Sequence, residues 1–148
     1  MGRRGGVLSC AAALLIATTG CGSEGVVEGA TASVYVTVPL CAEARAERER
    51  EGARAGEVRL RVMCLPKAET LAAVGAGARQ ATEDSATIAY IGTPNRKAVE
   101  FSETILEEAG IARLSADSGA IAMDRLTRAV NEAGDASNLR QALWENLG

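Results

Sequence analysis

Short β-branched runs alternate with helix-forming segments through most of the chain, and that alternation restricts the architectures open to it. "SVYVTV" at 33–38 is compact and stops at Pro39, which reads as a strand. "AEARAERERE" at 42–51 is rich in good helix formers and is punctuated by Gly52 and Gly56; its interleaved acids and bases describe a solvated helix face. "EVRLRVMCL" at 57–65 sets Val58, Leu60 and Val62 against Arg59, Arg61 and Met63 and stops at Pro66, giving a second strand. A helix is predicted over 68–81, a third strand over "ATIAYIG" from Ala86, a helix over 95–109 closed by Gly110, and a fourth strand over "IARLS" from Ile111. This order predicts an α/β fold, with a parallel sheet of about four strands, helices on both faces and right-handed crossovers. Two successive helices, 120–133 and 138–147, close the chain. Their apolar stripes are Ala122, Leu126, Ala129, Val130 and Ala133, then Leu139, Leu143 and Leu147. Ser137 or Asp135 is expected to cap the last one.

The start of the chain has a different logic. Arg3 and Arg4 are the only charges in the first 23 residues, and the apolar run Val7 to Ala17 leads into Thr18-Thr19-Gly20-Cys21. A positive start, a short apolar stretch and small residues describe a secretory signal. The run is shorter than the roughly 20 residues needed to span a bilayer. Cys21 after Thr-Thr-Gly resembles a bacterial lipobox, with Thr18 where a branched aliphatic is usual. The expectation is export with 1–20 removed, a lipid on Cys21 at the outer face of the bacterial cell membrane or in the periplasm, a flexible tether over 21–32, and one domain over 33–148. The alternative is an ordinary signal cut near Gly20 that leaves Cys21 a free thiol.

Four cysteines fit this scheme. Cys10 falls in the signal and Cys21 in the lipobox, so Cys41 and Cys64 remain, and outside the cytoplasm an even remainder predicts a disulfide. Both sit at the carboxyl ends of predicted neighbouring strands, about 4.8 Å apart, within the reach of a bridge. Two cysteines and no histidine do not make the usual zinc set.

Removal of 1–20 leaves 14 basic residues against 19 acidic ones, a net charge of −5. Nucleic acid is thereby disfavoured as a partner, since phosphate binding needs a basic footprint and single strands need stacking aromatics. Only Tyr35, Tyr90, Phe101 and Trp144 are aromatic. Without histidine the commonest general base is missing, and no Gly-Xaa-Ser-Xaa-Gly nucleophile motif is present. "GAGARQ" at 75–80 has Gln80 where a dinucleotide fingerprint has its third glycine and falls inside a predicted helix. No enzymatic activity and no cofactor are expected.

"VYVTVPL", "LAAVGAGARQATED", "ATIAYIGTP" and "ETILEEAGIARLSADSG" follow one another in an order that resembles the first lobe of type 1 periplasmic binding proteins, those of branched-chain amino acid ABC transporters. The matching landmarks are Pro39-Leu40, Ile91-Gly92, Glu108-Ala109-Gly110-Ile111 and Ser115, and the last 29 residues resemble the family's late helices. The resemblance implies a surface-anchored solute-binding component, with a small-molecule solute and an ABC permease as partners. Family members close two lobes on a ligand by hinge motion, but here Gly119 runs almost directly into the late helices, so the second lobe is expected to be missing. The family's ligand turns fall on Thr93, Asn95 and Arg96 after the third strand and on Ser115 and Ser118 after the fourth. Arg96 replaces the usual serine and Gly119 lies near the usual threonine, which shifts the expected ligand from an amino acid to a small polar or anionic solute. Such a ligand would meet a helix N-terminus and the Arg96 fork. Arg96 and Lys97 as solvated residues beside a capping Asn95 or Thr93 are the alternative. An interaction or self-associating module is the competing function, its uncovered cleft edge pairing with another copy or another protein.

Overall fold

The computed structural model describes residues 31–134 and 138–148. The expected signal segment with Cys10, the expected lipid anchor at Cys21, the expected tether up to residue 30, and the expected caps Asp135 and Ser137 lie outside the described residues. No helix among the described residues is long and apolar enough to cross a membrane.

The strands are β1 (Thr31–Val36), β2 (Arg54–Ala55), β3 (Val58–Cys64), β4 (Thr87–Gly92) and β5 (Ala112–Ser115). The helices are α1 (Cys41–Arg50), α2 (Leu71–Glu83), α3 (Arg96–Glu108), α4 (Gly119–Ala133) and α5 (Leu139–Leu147). One sheet runs in the order β2-β3-β1-β4-β5. The last four strands of that order are parallel, and β2 alone is antiparallel, paired with β3. The α/β class and its parallel centre are as the alternation predicts.

Several local features differ from expectation, each for a local reason. β1 takes in Thr31 and Ala32, which pair with Arg59 and Leu60, so these two positions, expected in a tether, belong to the sheet. β2 is a fifth strand, formed where Gly56 at φ +56° lets the chain double back onto β3. The last helix is capped by Asn138, whose Oδ1 accepts from Gln141 N at 3.2 Å. Similarly, Thr70 Oγ1 accepts from Ala73 N at 3.2 Å, so α2 begins at Leu71 rather than 68.

Alternation along β1 divides the interior in two. Val34 and Val36, with Val58, Leu60 and Val62 of β3, form the larger core with Ala44 of α1, Leu126 and Val130 of α4, and Leu139 and Leu143 of α5. Tyr35 and Tyr90 face the other way and pack with Leu65, Ala78 and Ala81 of α2, and Leu106 of α3. α1 nonetheless buries Glu47 among its charges, paired with Arg50 (Nε to Oε2 3.0 Å), while the rest of its acid-base run is largely exposed. α4 presses closely on the start of α1. A Cβ on Gly119 would collide with the Leu40 carbonyl and lie 2.9 Å from Ala44 N, so only glycine permits this approach. Glu43 Oε2 fastens the same junction, accepting from Ser118 Oγ at 2.8 Å and from Gly119 N at 2.9 Å. These bonds hold the Glu43 carboxyl below its ordinary range.

Cys41 and Cys64 are bonded to each other, with Cα atoms 5.6 Å apart and a sequence separation of 23. The bridge ties the start of α1 to the end of β3, beside Val36, whose register partner is Cys64. Closing that loop stabilises by about 3 kcal/mol through the unfolded chain. Replacing both cysteines by alanine is therefore expected to lower the urea unfolding free energy by about that amount, and added reductant should destabilise the wild type but leave the variant unchanged.

At the opposite end of the sheet Asp84 gathers Ala86 N on Oδ1 at 2.9 Å and the Tyr35 hydroxyl on Oδ2 at 3.3 Å, with Arg61 at 3.6 Å. Burial pushes its carboxyl up, but the hydrogen bonds from Ser33, Ala86 and Tyr35 and the Arg61 charge outweigh it, and the net shift is downward. A depressed carboxylate contributes stability that is present above its unfolded value, about 3.9, and disappears as pH falls through the lower folded value. The urea midpoint should thus drop as pH falls below about 4, and Asp84→Asn should be less stable at pH 7 with a shallower acid decline. An equally steep decline in the variant would assign the acid sensitivity elsewhere.

Candidate functional site

The strand order reverses at β1. Chain leaving β1 enters α1 on one face, whereas chain leaving β3 and β4 enters α2 and α3 on the other. Loops that part in this way leave a crevice beyond the carboxyl ends of the strands. A cavity of about 290 Å³ lies there, bounded by Thr37 and Val38 after β1, Thr93 and Asn95 after β4, and the first turns of α2 and α3. Its size is at the low end of small-molecule sites, which run from about 300 to 1,000 Å³.

The cavity is built on a cross-strand row. Register places Met63, Tyr35, Tyr90 and Arg113 side by side on the α2/α3 face of the sheet. Tyr90 and Arg113 line the cavity, and the guanidinium carbon stands 5.9 Å from the centre of the Tyr90 ring, close enough for cation–π attraction. Gly92 lies one row above. A Cβ there would come within 2.7 Å of Arg113 Nη2 and 3.2 Å of the Tyr90 ring, so the absence of a side chain gives the guanidinium its room.

Arg113 is held entirely by neutral oxygens. Nε donates to Ser102 Oγ at 2.9 Å, Nη2 to the Thr93 carbonyl at 3.1 Å, and Nη1 to Ser115 Oγ. Among the described residues no carboxylate pairs with it. Burial pulls its guanidinium below arginine's ordinary value, yet the group stays charged. Burial also raises the Tyr90 phenol, partly offset by the nearby Arg113 charge. Thr37 Oγ1, on the cavity wall, is buried with no hydrogen-bond partner.

Of the residues expected from sequence, Thr93 and Asn95 line the cavity. Asn95 also caps α3, its Oδ1 accepting from Ala98 N at 3.1 Å. Arg96 lies outside the lining; its Nε donates to Glu100 Oε1 at 2.8 Å on the exposed face of α3. Ser115 stands behind the cavity as an Arg113 acceptor. Ser118 caps α4 and donates to Glu43 on the other face of the sheet. The structure thus brings two of the five together, puts a third in contact with the cavity's arginine, and separates Arg96 and Ser118 from it. Sequence reading missed Arg113, Thr37 and Tyr90 and set Lys97 aside. One signal was available: Arg113 interrupts an apolar strand, Ala112-Arg113-Leu114, in a sheet with helices on both faces, where a cation needs a reason.

Glu47, Glu51 and Asp124 are the described carboxylates close enough to share a cation, their oxygens within 4.8 Å of one another. Each already has a partner: Arg50 on Glu47, Thr127 Oγ1 on Glu51 at 2.8 Å and Arg128 on Asp124 at 2.6 Å. They read as a fastening of α1 to α4.

Ser102 is buried and supplies the inner acceptor of Arg113, so Ser102→Ala leaves Nε without a partner and should cost about 1–3 kcal/mol in urea unfolding. Ser115→Ala, at an exposed position where water replaces the lost acceptor, should cost under about 0.5 kcal/mol. Equal costs would mean that the inner end of the guanidinium is not the one that needs satisfying.

No protein-family model matches the chain, and no curated protein or solved structure matches it. Sequence and structure together establish an α/β domain with a mixed five-strand sheet.

Proposed function

We propose that the protein is a solute-binding lipoprotein, a single α/β lobe of the type 1 periplasmic kind that takes a small polar or anionic solute into the cavity at the ends of β1 and β4. The observation that carries this reading is a half-buried cation, Arg113, with no acidic partner among the described residues, lining a cavity at the point where the strand order reverses, the place where open α/β folds hold ligands. Export and anchoring through Cys21 are part of the same proposal and rest on the sequence of the leader. A permease is the partner such a component would serve. The reading assigns no catalysis.

A second reading, an interaction module, draws on the exposure of Val38 and Leu71, each 43% accessible at the cavity mouth. A concentration-dependent rise in molecular mass that is lost in Val38→Ser/Leu71→Ser would favour it.

The test of the first reading is a thermal-shift screen of the purified full-length protein in detergent, with its disulfide intact, against neutral, cationic and anionic small solutes. A ligand at a hundred times its Kd stabilises by about 2.7 kcal/mol, which is several degrees at this size. A shift that Arg113→Gln removes is the expected result. A flat response across the panel would sink the proposal.

A further inference from the structure

We infer that the solute of this cavity is a small organic monocarboxylate with a short apolar body and no amino group. This rests on the solute-binding reading and narrows it to one ligand chemistry.

The charge of the ligand follows from the donors left over. A guanidinium has five N–H donors, and Arg113 directs three of them at Ser102, Ser115 and Thr93. Two remain without an acceptor among the described residues. Lys97 lies in the same lining, and no carboxylate comes within 4.0 Å of it among the described residues. The first turns of two 13-residue helices, α2 and α3, border the space, and the leading N–H groups of a helix have no partner inside it. Both cations in the lining and both helix N-termini therefore favour a negative group, and the one lining acid, Glu69, is paired to Lys67.

Its other properties follow from what the cavity lacks. An α-amino acid brings an ammonium that needs an acid when desolvated. The acid in the lining is Glu69, exposed and paired to Lys67 at 2.9 Å. Val38, Leu71, Val74 and Ala98 supply an apolar wall, which an inorganic anion would leave unused. The buried, unpartnered Thr37 hydroxyl adds a polar contact to the apolar wall.

Titration calorimetry on the full-length protein with four matched probes tests this: 3-methylbutanoate, its neutral amide, valine and inorganic phosphate. The carboxylate is expected to bind, with the amide and valine at least about ten-fold weaker and phosphate silent. Arg113→Gln should abolish binding. Because that variant also loses three internal hydrogen bonds, Thr37→Val and Lys97→Gln serve beside it; each leaves the Arg113 bonds intact and should weaken the carboxylate several-fold. Amide binding equal to the acid would overturn the anionic ligand while leaving the solute-binding reading in place. Valine binding more tightly than 3-methylbutanoate would overturn the exclusion of amino acids, and phosphate binding alone would replace the organic acid with an inorganic anion. Silence from all four overturns the inference, and the broad thermal-shift screen then decides whether the cavity binds any solute.

Discussion

A parallel strand hydrogen-bonded on both sides has no free edge, so its backbone is satisfied only if both neighbours hold their register. β1 is in that position, flanked by β3 and β4 and buried from Ala32 to Val36. Its side chains can only alternate between two interiors, and its following loop must leave toward one of them. The loop goes to α1, the crossovers from β3 and β4 go to the opposite face, and the crevice between the departing loops is a geometric consequence. Cavity, disulfide and the α1–α4 junction all hang from this one strand.

The two interiors are chemically unlike. The side covered by α1, α4 and α5 is aliphatic and carries most of the core. The other side contains two tyrosines, an arginine and small residues along α2, with Phe101 set over Gly75, where a Cβ would meet its ring at 2.6 Å. Burial on the first side supplies stability. The second gives apolar area over to polar groups that a core does not need, the kind of departure from a uniform interior on which the proposed solute site rests.

Much of this is legible in the chain because strand and helix have different periods, 2 and about 3.6, and each segment keeps its own. The pairing of Cys41 with Cys64 follows from cysteine count and strand ends. β2 escapes because two residues carry no period, and its cue was the two-residue link Gly56-Glu57 between Ala55 and Val58. The site was half legible. Thr93 and Asn95 follow from the position of a turn, but Arg113 enters through the register of β4 against β5, and register between strands distant in sequence is set by the whole core rather than by any local pattern. Arg96 drew attention as a cation in the right loop, yet one turn of helix offers it Glu100, and a side chain takes the partner within reach.

Gly119 and Glu43 have an effect well away from where they sit. The segment Thr37–Leu40 looks like a connecting loop, and loops are ordinarily the mobile part of a binding site. Here Leu40 N bonds the Thr37 carbonyl at 2.9 Å, and the Leu40 carbonyl is pressed by Gly119 from behind. Ser118 and Gly119 are in turn bound to Glu43. This wall of the cavity is stiffened by α4 on the far side of the sheet, so the proposed solute, settling against Thr37, would have little chain left to immobilise and would lose correspondingly little affinity to entropy.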